Sequence, residues 1–157
     1  MKTAPRSESS AARPKPRSCP EEALYLELLR TTDILSRQVA PVLKAENLSS
    51  NQYNVLRILR GAPEGLPCGE IGNRMITRDP DITRLLDRLE KRNLIERWRE
   101  KKDRRVVVTR ITSEGLDLLS RLDDPVQNAH RRQLAHLGSE HQQALARLLQ
   151  EARSQVE

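Results

Sequence analysis

Between residues 74 and 105 of this 157-residue chain lie twelve arginines and lysines, and their spacing points to chemistry more than their number does. Thr83, Arg84 and Arg88 fall on one side of a helix if that segment is helical. A guanidinium donates its N–H groups as a planar fork, which suits a guanine edge or a pair of phosphate oxygens. Arg78 and Asp81 lie just ahead of this group, and Lys101, Lys102, Arg104 and Arg105 crowd around Asp103 further on. Reactive chemistry is poorly provided for. The sequence has no glycine-rich phosphate loop, nucleophile motif or convergent carboxylate pair, so no enzymatic activity and no cofactor is expected. His130, His136 and His141 stand six and five apart, on different helical faces, and read as surface residues with no metal site. Cys19 and Cys68 form neither a disulfide framework nor a Cys-x-x-Cys pair. Each precedes or opens a helical stretch, where the dipole can lower a thiol pKa, so thiol-based redox sensing is the alternative reading of these two residues.

The net charge is +6, and its placement sharpens the reading. Residues 1–20 carry +4, residues 74–105 carry +5, and the remainder is acidic. A surplus concentrated in one internal segment is the footprint of a polyanion-binding surface. Phe is absent, and Tyr25, Tyr53 and Trp98 are the only aromatics. That leaves few stacking platforms for single-stranded nucleic acid or RNA. It also requires a core of Leu, Ile, Val and Ala, as in helices packed on helices. The length suits one domain. Residues 1–19 are rich in Pro, Ser and basic groups, with no apolar stretch resembling a signal sequence, and read as a disordered basic tail. No apolar run approaches a membrane span, so a soluble cytoplasmic protein is expected.

Behind the basic residues the pattern is mostly helical. Leu24, Leu28, Thr31, Leu35, Val39 and Val42 mark one face of a long helix from Pro20, which Pro41 is expected to bend or end. Ser49 and Gln52 have capping-box spacing for a second helix that Gly61 stops. Residues 62–67 read as a loop, and residues 68–75 as a short helix with Ile71 and Met75 inward. Asp79-Pro80 reads as an N-cap followed by proline at the first helical position. The helix it opens carries the stripe Ile82, Leu85, Leu86 and Leu89, with Asn93 ending it in a left-handed conformation. LIERWRE and RVVVTRI are short β-branched runs joined by a charged link, which predicts a hairpin. Thr112 caps another helix with Leu116, Leu119 and Leu122 inward, and Asp124-Pro125 is expected to interrupt it. Gly138 closes that stretch, and Ser139-x-x-Gln142 is read as the cap of a last helix bearing Leu145, Leu148, Leu149 and Ala152.

Two short helices followed by a two-stranded hairpin make a winged helix-turn-helix, mainly α with a small β wing. The major groove of B-DNA, about 12 Å wide, admits one α-helix. An arginine-faced helix beside a slim basic hairpin therefore suits double-stranded DNA, with the hairpin reaching the adjacent minor groove. A helical dimerisation adaptor would share the long helices but offers no reason for a basic hairpin beside a basic helix.

ITRLLDRLEKRNLIERWREKKDRRVVVTRITSEG resembles the signature of the MarR (multiple antibiotic resistance regulator) family: a Thr-Arg recognition helix, an Asp-Arg-Arg wing and a Thr-x-x-Gly lead-in to the next helix. LSSNQYNVLRIL is similar to the family's helix after its first dimer helix, and the resemblance spans about residues 20–155. It implies a single domain over residues 20–157, with a DNA-reading lobe at 49–111 and N- and C-terminal dimerisation helices at 20–45 and 112–155. The implied partners are a second copy of the chain, a near-palindromic DNA operator and a small effector ligand held between the dimer helices and the lobe. Carried over by position, Arg78, Asp81, Thr83, Arg84, Arg88, Lys101, Lys102, Asp103, Arg104 and Arg105 form the DNA-binding set. The resemblance further implies that Asp103 ion-pairs within the wing and orients Arg105 toward the minor groove, with Arg104 beside it. Asp87 and Glu90 are the acids available to offset Arg84 and Arg88. Two departures stand out: Pro67-Cys68 replaces a Ser or Thr cap on the short helix, and Arg110 occupies a return-strand position where an apolar residue would be ordinary.

Overall fold

The computed structural model describes residues 19–101 and 103–154, so residues 1–18 of the tail expected over 1–19, and Lys102, lie outside the described residues. The elements run α1 (Pro20–Ala45), α2 (Ser50–Arg60), β1 (Leu66–Pro67), α3 (Cys68–Arg74), α4 (Ile82–Glu90), β2 (Ile95–Arg99), β3 (Val107–Ile111) and α5 (Ser113–Leu134). A 3-10 turn at Ala135–Leu137 and α6 (Gly138–Ser154) complete them. The chain divides into two compact units, Met1–Asp33 and Ile34–Glu157. In the first, the described helix leaves Leu24, Tyr25, Leu26 and Leu29 exposed, so Leu24 belongs to an open apolar face.

The second unit holds the winged helix-turn-helix. Ser49 caps α2 as its spacing predicts: its hydroxyl accepts the Gln52 N–H (3.2 Å), and the Gln52 carboxamide oxygen accepts the Ser49 N–H (2.9 Å). Val55, Leu56 and Leu59 of α2 join Leu118, Leu119, Leu122 and Val126 of α5 in one buried cluster. Leu118 replaces the expected Leu116, which lies on the exposed side of α5 while Gly115, Leu118 and Leu119 take the buried side. Neither internal proline breaks its helix. Pro41 stays within α1 and Pro125 within α5, both on exposed flanks, while Leu43 beside one and Leu122 and Val126 beside the other anchor the turn to the core. The stop of α1 comes at Asn47, whose φ of 54° lets the Leu48 N–H reach back to the Leu43 carbonyl (3.0 Å).

The sheet has three antiparallel strands in the order β1-β3-β2, rather than the two of the expected hairpin. Residues 66 and 67, read as loop, pair as Leu66↔Thr109 and Pro67↔Val108. β2 and β3 pair from Ile95↔Ile111 to Arg99↔Val107, with Glu96 directly opposite Arg110. The last helix also differs from expectation. Ser139 lies inside α6 instead of capping it, and Gln142 donates to the Leu134 carbonyl (2.8 Å), tying α6 to the end of α5. No side chain of α6 is buried, and Leu145 and Leu148 are exposed.

Candidate nucleic-acid interface

Helix α4 is held from below by its stripe. Leu85, Leu86 and Leu89 are buried and Ile82 packs half-buried against them, which turns Thr83, Arg84 and Arg88 outward. The helix begins later than its sequence suggests. Asp81 is the N-cap, with its carboxylate accepting the Arg84 N–H (3.3 Å). Asp79 takes another task because it is claimed by a residue of α2: it accepts from the Asn51 side chain (2.9 Å) and from the Asp81 N–H (3.0 Å). The Asn51 hydrogen bond, then the Asp81 amide, hold the Asp79 carboxyl below the usual carboxylate range. Arg84, with its side chain 77% exposed, pairs loosely with Asp81 (3.1 Å), a contact that phosphate or base edges can outcompete. Arg88 makes no ion pair among the described residues, and Arg78 is exposed ahead of the helix.

Asp87 and Glu90 do not offset Arg84 and Arg88, because both are taken by Arg97 of β2. Arg97 meets Asp87 at 2.5 Å and forks onto Glu90, with its Nε at 3.0 Å. Its guanidinium is mostly buried, and the Glu90 hydrogen bond, then the Asp87 one, raise its pKa further against the opposing effect of burial. This pair of bridges fixes β2 against α4 and withholds Asp87 and Glu90 from the outward arginines, of which only Arg84 pairs with the N-cap Asp81. The sequence signal was available as two carboxylates three apart on α4 and an arginine in the following strand, but only the fold brings them together.

At the wing tip, Lys101, Asp103, Arg104 and Arg105 are exposed. Asp103 meets the Arg105 backbone: its carboxylate accepts the Arg105 N–H (3.0 Å) and its carbonyl accepts the Val106 N–H (3.0 Å), and among the described residues it makes no ion pair. Arg99 donates to the Arg104 carbonyl (3.0 Å) and Glu100 N–H to Val106 (2.9 Å), closing the tip. Arg110, the unexpected return-strand arginine, pairs with Glu96 across the ladder (2.8 and 2.6 Å) and lies 5.4 Å over the Trp98 ring.

At Cys68 burial acts against the lowered thiol pKa that its position suggested. Half-buried, its thiol is pushed up by desolvation, with Arg97 opposing only in part, and Pro67, the N-cap of α3, offers no side-chain cap. A raised thiol pKa means less thiolate and slower oxidation. The histidines are exposed, and no cluster of three or more metal-ligating side chains exists among the described residues. No helix among them is long and apolar enough to cross a membrane.

Sequence reasoning named no ligand residues, but the second unit contains a cavity of about 440 Å³ walled by the later part of α1, α2 and α5. Leu35, Val39 and Tyr53 supply apolar wall, while Arg57, His130 and Gln133 supply polar groups. Arg57 stacks 5.8 Å over Tyr53. Gln133 is buried: its amide donates to the Leu35 carbonyl (2.9 Å), and its Oε1 has no hydrogen-bond partner among the described residues.

The sequence profile of the MarR family matches residues 48–107, the stretch from the start of α2 to the start of β3. A MarR transcription factor from Planctomyces limnophilus is 40% identical, covering 87% of this chain and 98% of its own, with a TM-score of 0.67. The chain belongs to the MarR family. The homoprotocatechuate degradative operon repressor of Escherichia coli is 28% identical over 130 residues, 83% of this chain and 87% of that protein. The PcaV transcriptional regulator of Streptomyces coelicolor, solved with its natural ligand, is 26% identical with a TM-score of 0.72, covering 93% of this chain and 99% of its own. As a MarR-family member the chain is a DNA-binding transcriptional regulator.

Proposed function

We propose that this regulator is a homodimeric repressor that reads a near-palindromic operator and is released by a small ligand, with no catalytic step of its own. The carrying observation is the outward face of α4, where Thr83, Arg84 and Arg88 stand free of the acids that Arg97 holds. On this reading Arg84 and Arg88 contact bases and phosphates in the major groove. Arg78 and Lys101 contact backbone, Asp81 sets the position of Arg84, and Arg104 and Arg105 enter the minor groove with Asp103 shaping the tip. Lys102 adds a further cation to the wing.

The domain is read as one MarR-type unit over residues 20–157, with helices at 20–45 and 112–155 in the dimer interface and a DNA lobe at 49–111. The exposed Leu24, Tyr25 and Leu29 of α1 and Leu145 and Leu148 of α6 support dimerisation, since such apolar faces are stable when a second copy covers them. Repression draws support from the E. coli relative, itself an operon repressor, and ligand release from the ligand carried by the PcaV structure together with the cavity beside α2. A ligand shifts the protein away from DNA only by its differential affinity for the free and bound arrangements. Redox sensing through Cys68 is disfavoured by its burial. The protein is read as acting in the cytoplasm, where its operator lies.

Salt titration tests this function. Affinity for a selected operator falls linearly on logarithmic axes, with a slope near −0.9 for each phosphate contact, and exceeds affinity for random duplex by about a thousandfold or more. Equal affinity for both duplexes at every salt concentration contradicts specific regulation.

A further inference from the structure

The segment joining α3 to α4 has little apolar anchorage: Ile76 is 87% exposed, and no side chain from Ile76 to Asp81 is buried. Polar contacts from α2 hold it instead. Asn54 accepts the Ile76 N–H (2.9 Å), and Asn51 donates to Asp79 Oδ2 (2.9 Å). The other oxygen of Asp79 accepts the Asp81 N–H, and Asp81 in turn accepts the Arg84 N–H. A continuous hydrogen-bonded path thus runs from α2 to the backbone of Arg84. Both Asn54 and Ile76 also line the cavity, so one helix meets both the cavity and the start of the recognition helix.

We infer that Asn51 and Asn54 are positioning residues for operator reading, holding segment 75–81 so that α4 presents Arg84 at a fixed height above α2. The inference rests on the proposed reading of α4 as the base-reading helix. Base-edge hydrogen bonds tolerate little displacement, whereas phosphate contacts are long-ranged and adjustable. Loosening this tether therefore costs specific affinity far more than nonspecific affinity.

The Asn51–Asp79 pair permits a swap. In the chain carrying both N51D and D79N, the new amide at 79 donates to the new carboxylate at 51, while its oxygen still accepts the Asp81 N–H. N51D alone sets two carboxylates against each other, whereas D79N alone replaces the charge-assisted bond with a neutral amide pair, made by turning the Asn51 carboxamide over. Operator and random-duplex affinities are measured for the full-length wild type, both single variants and the swap, with melting curves for each. N51D is expected to lose about tenfold or more on the operator, the weight of one charge-assisted hydrogen bond, D79N about twofold to fivefold, and each less than about twofold on random duplex. The swap is expected to return to within about twofold of wild type. Single variants that match wild type on the operator, or a swap no better than the poorer single variant, overturn the inference. Should a single variant melt below the assay temperature, Asn54→Ala takes its place: the same selective loss supports the tether, and unchanged binding overturns it. A wild type without operator preference refutes the regulator reading itself, a separate outcome.

Discussion

Replacing Gly115 by alanine probes the joint that seats the wing. Gly115 lies in the first turn of α5, where that helix crosses the chain leaving α4. A Cβ there would stand 2.3 Å from the Leu94 carbonyl oxygen and 2.7 Å from Ile111 Cγ1. Real Cβ contacts essentially never fall below 3.0 Å, so the oxygen must retreat by at least the difference from 2.3 Å, or 0.7 Å. That oxygen accepts the Thr112 N–H at 3.1 Å, and the neighbouring Asn93 carbonyl accepts the Thr112 hydroxyl at 2.6 Å, so the retreat strains both bonds. Overpacking costs about 1–3 kcal/mol and a weakened hydrogen bond about 1 kcal/mol more. Alanine's better helix propensity returns about 1 kcal/mol, leaving a net loss of roughly 1–3 kcal/mol. For a chain of this size that lowers Tm by about 3–10 °C. Thermal melts followed by far-UV circular dichroism, at one fixed protein concentration because association shifts Tm, measure it. A Gly115→Ala protein melting at or above the wild-type temperature refutes the steric argument.

Further outcomes follow from the same geometry. Arg84→Ala should cost about 1–3 kcal/mol of operator affinity and relax preference at one base position, read by competition with single-base operator variants. Arg105→Ala should reduce affinity with little change in the preferred major-groove bases, and no effect at all would remove the wing from the interface. Arg97→Met keeps the apolar stem but cuts both bridges to α4; with carboxylates 39–42% exposed, a stability loss of about 0.5–2 kcal/mol in urea titrations is expected. Half-buried Cys68 should alkylate more slowly than exposed Cys19, and mild peroxide should leave operator binding unchanged. Because the Asp79 carboxyl titrates below its unfolded value, its stabilisation is present above the unfolded pKa and fades as pH falls through the folded one. Carboxyl NMR titration should therefore find its midpoint moving upward in Asn51→Ala.

Local chemistry was legible in the sequence wherever it was self-contained. The Ser49–Gln52 capping box, the Ile82–Leu89 stripe and left-handed Asn93 each need only neighbours along the chain, and each stands in the structure. Features decided at a distance were not legible. Asp79 and Asp81 are both plausible caps, and only Asn51, 28 residues upstream, assigns the cap to Asp81. β1 is two residues long and exists because β3 offers it an edge, so no periodicity could announce it. Pro125 looked like a break because a proline removes one helical hydrogen bond; the buried residues on either side outweigh that loss. Arg97 and the cavity wall required knowing which elements meet. Arg92 is similar: from the end of α4 it donates to the Glu46 and Asn47 carbonyls and covers the end of α1.

Selection of bound sequences from random duplex DNA tests the central claim most directly. Two copies of α4 related by a two-fold axis predict an enriched, near-palindromic site with half-site centres about one helical turn apart, roughly 34 Å, and Arg84→Ala should blur one symmetric pair of positions. Enrichment of a single unpaired motif, or of none, would contradict a dimer reading DNA through this helix.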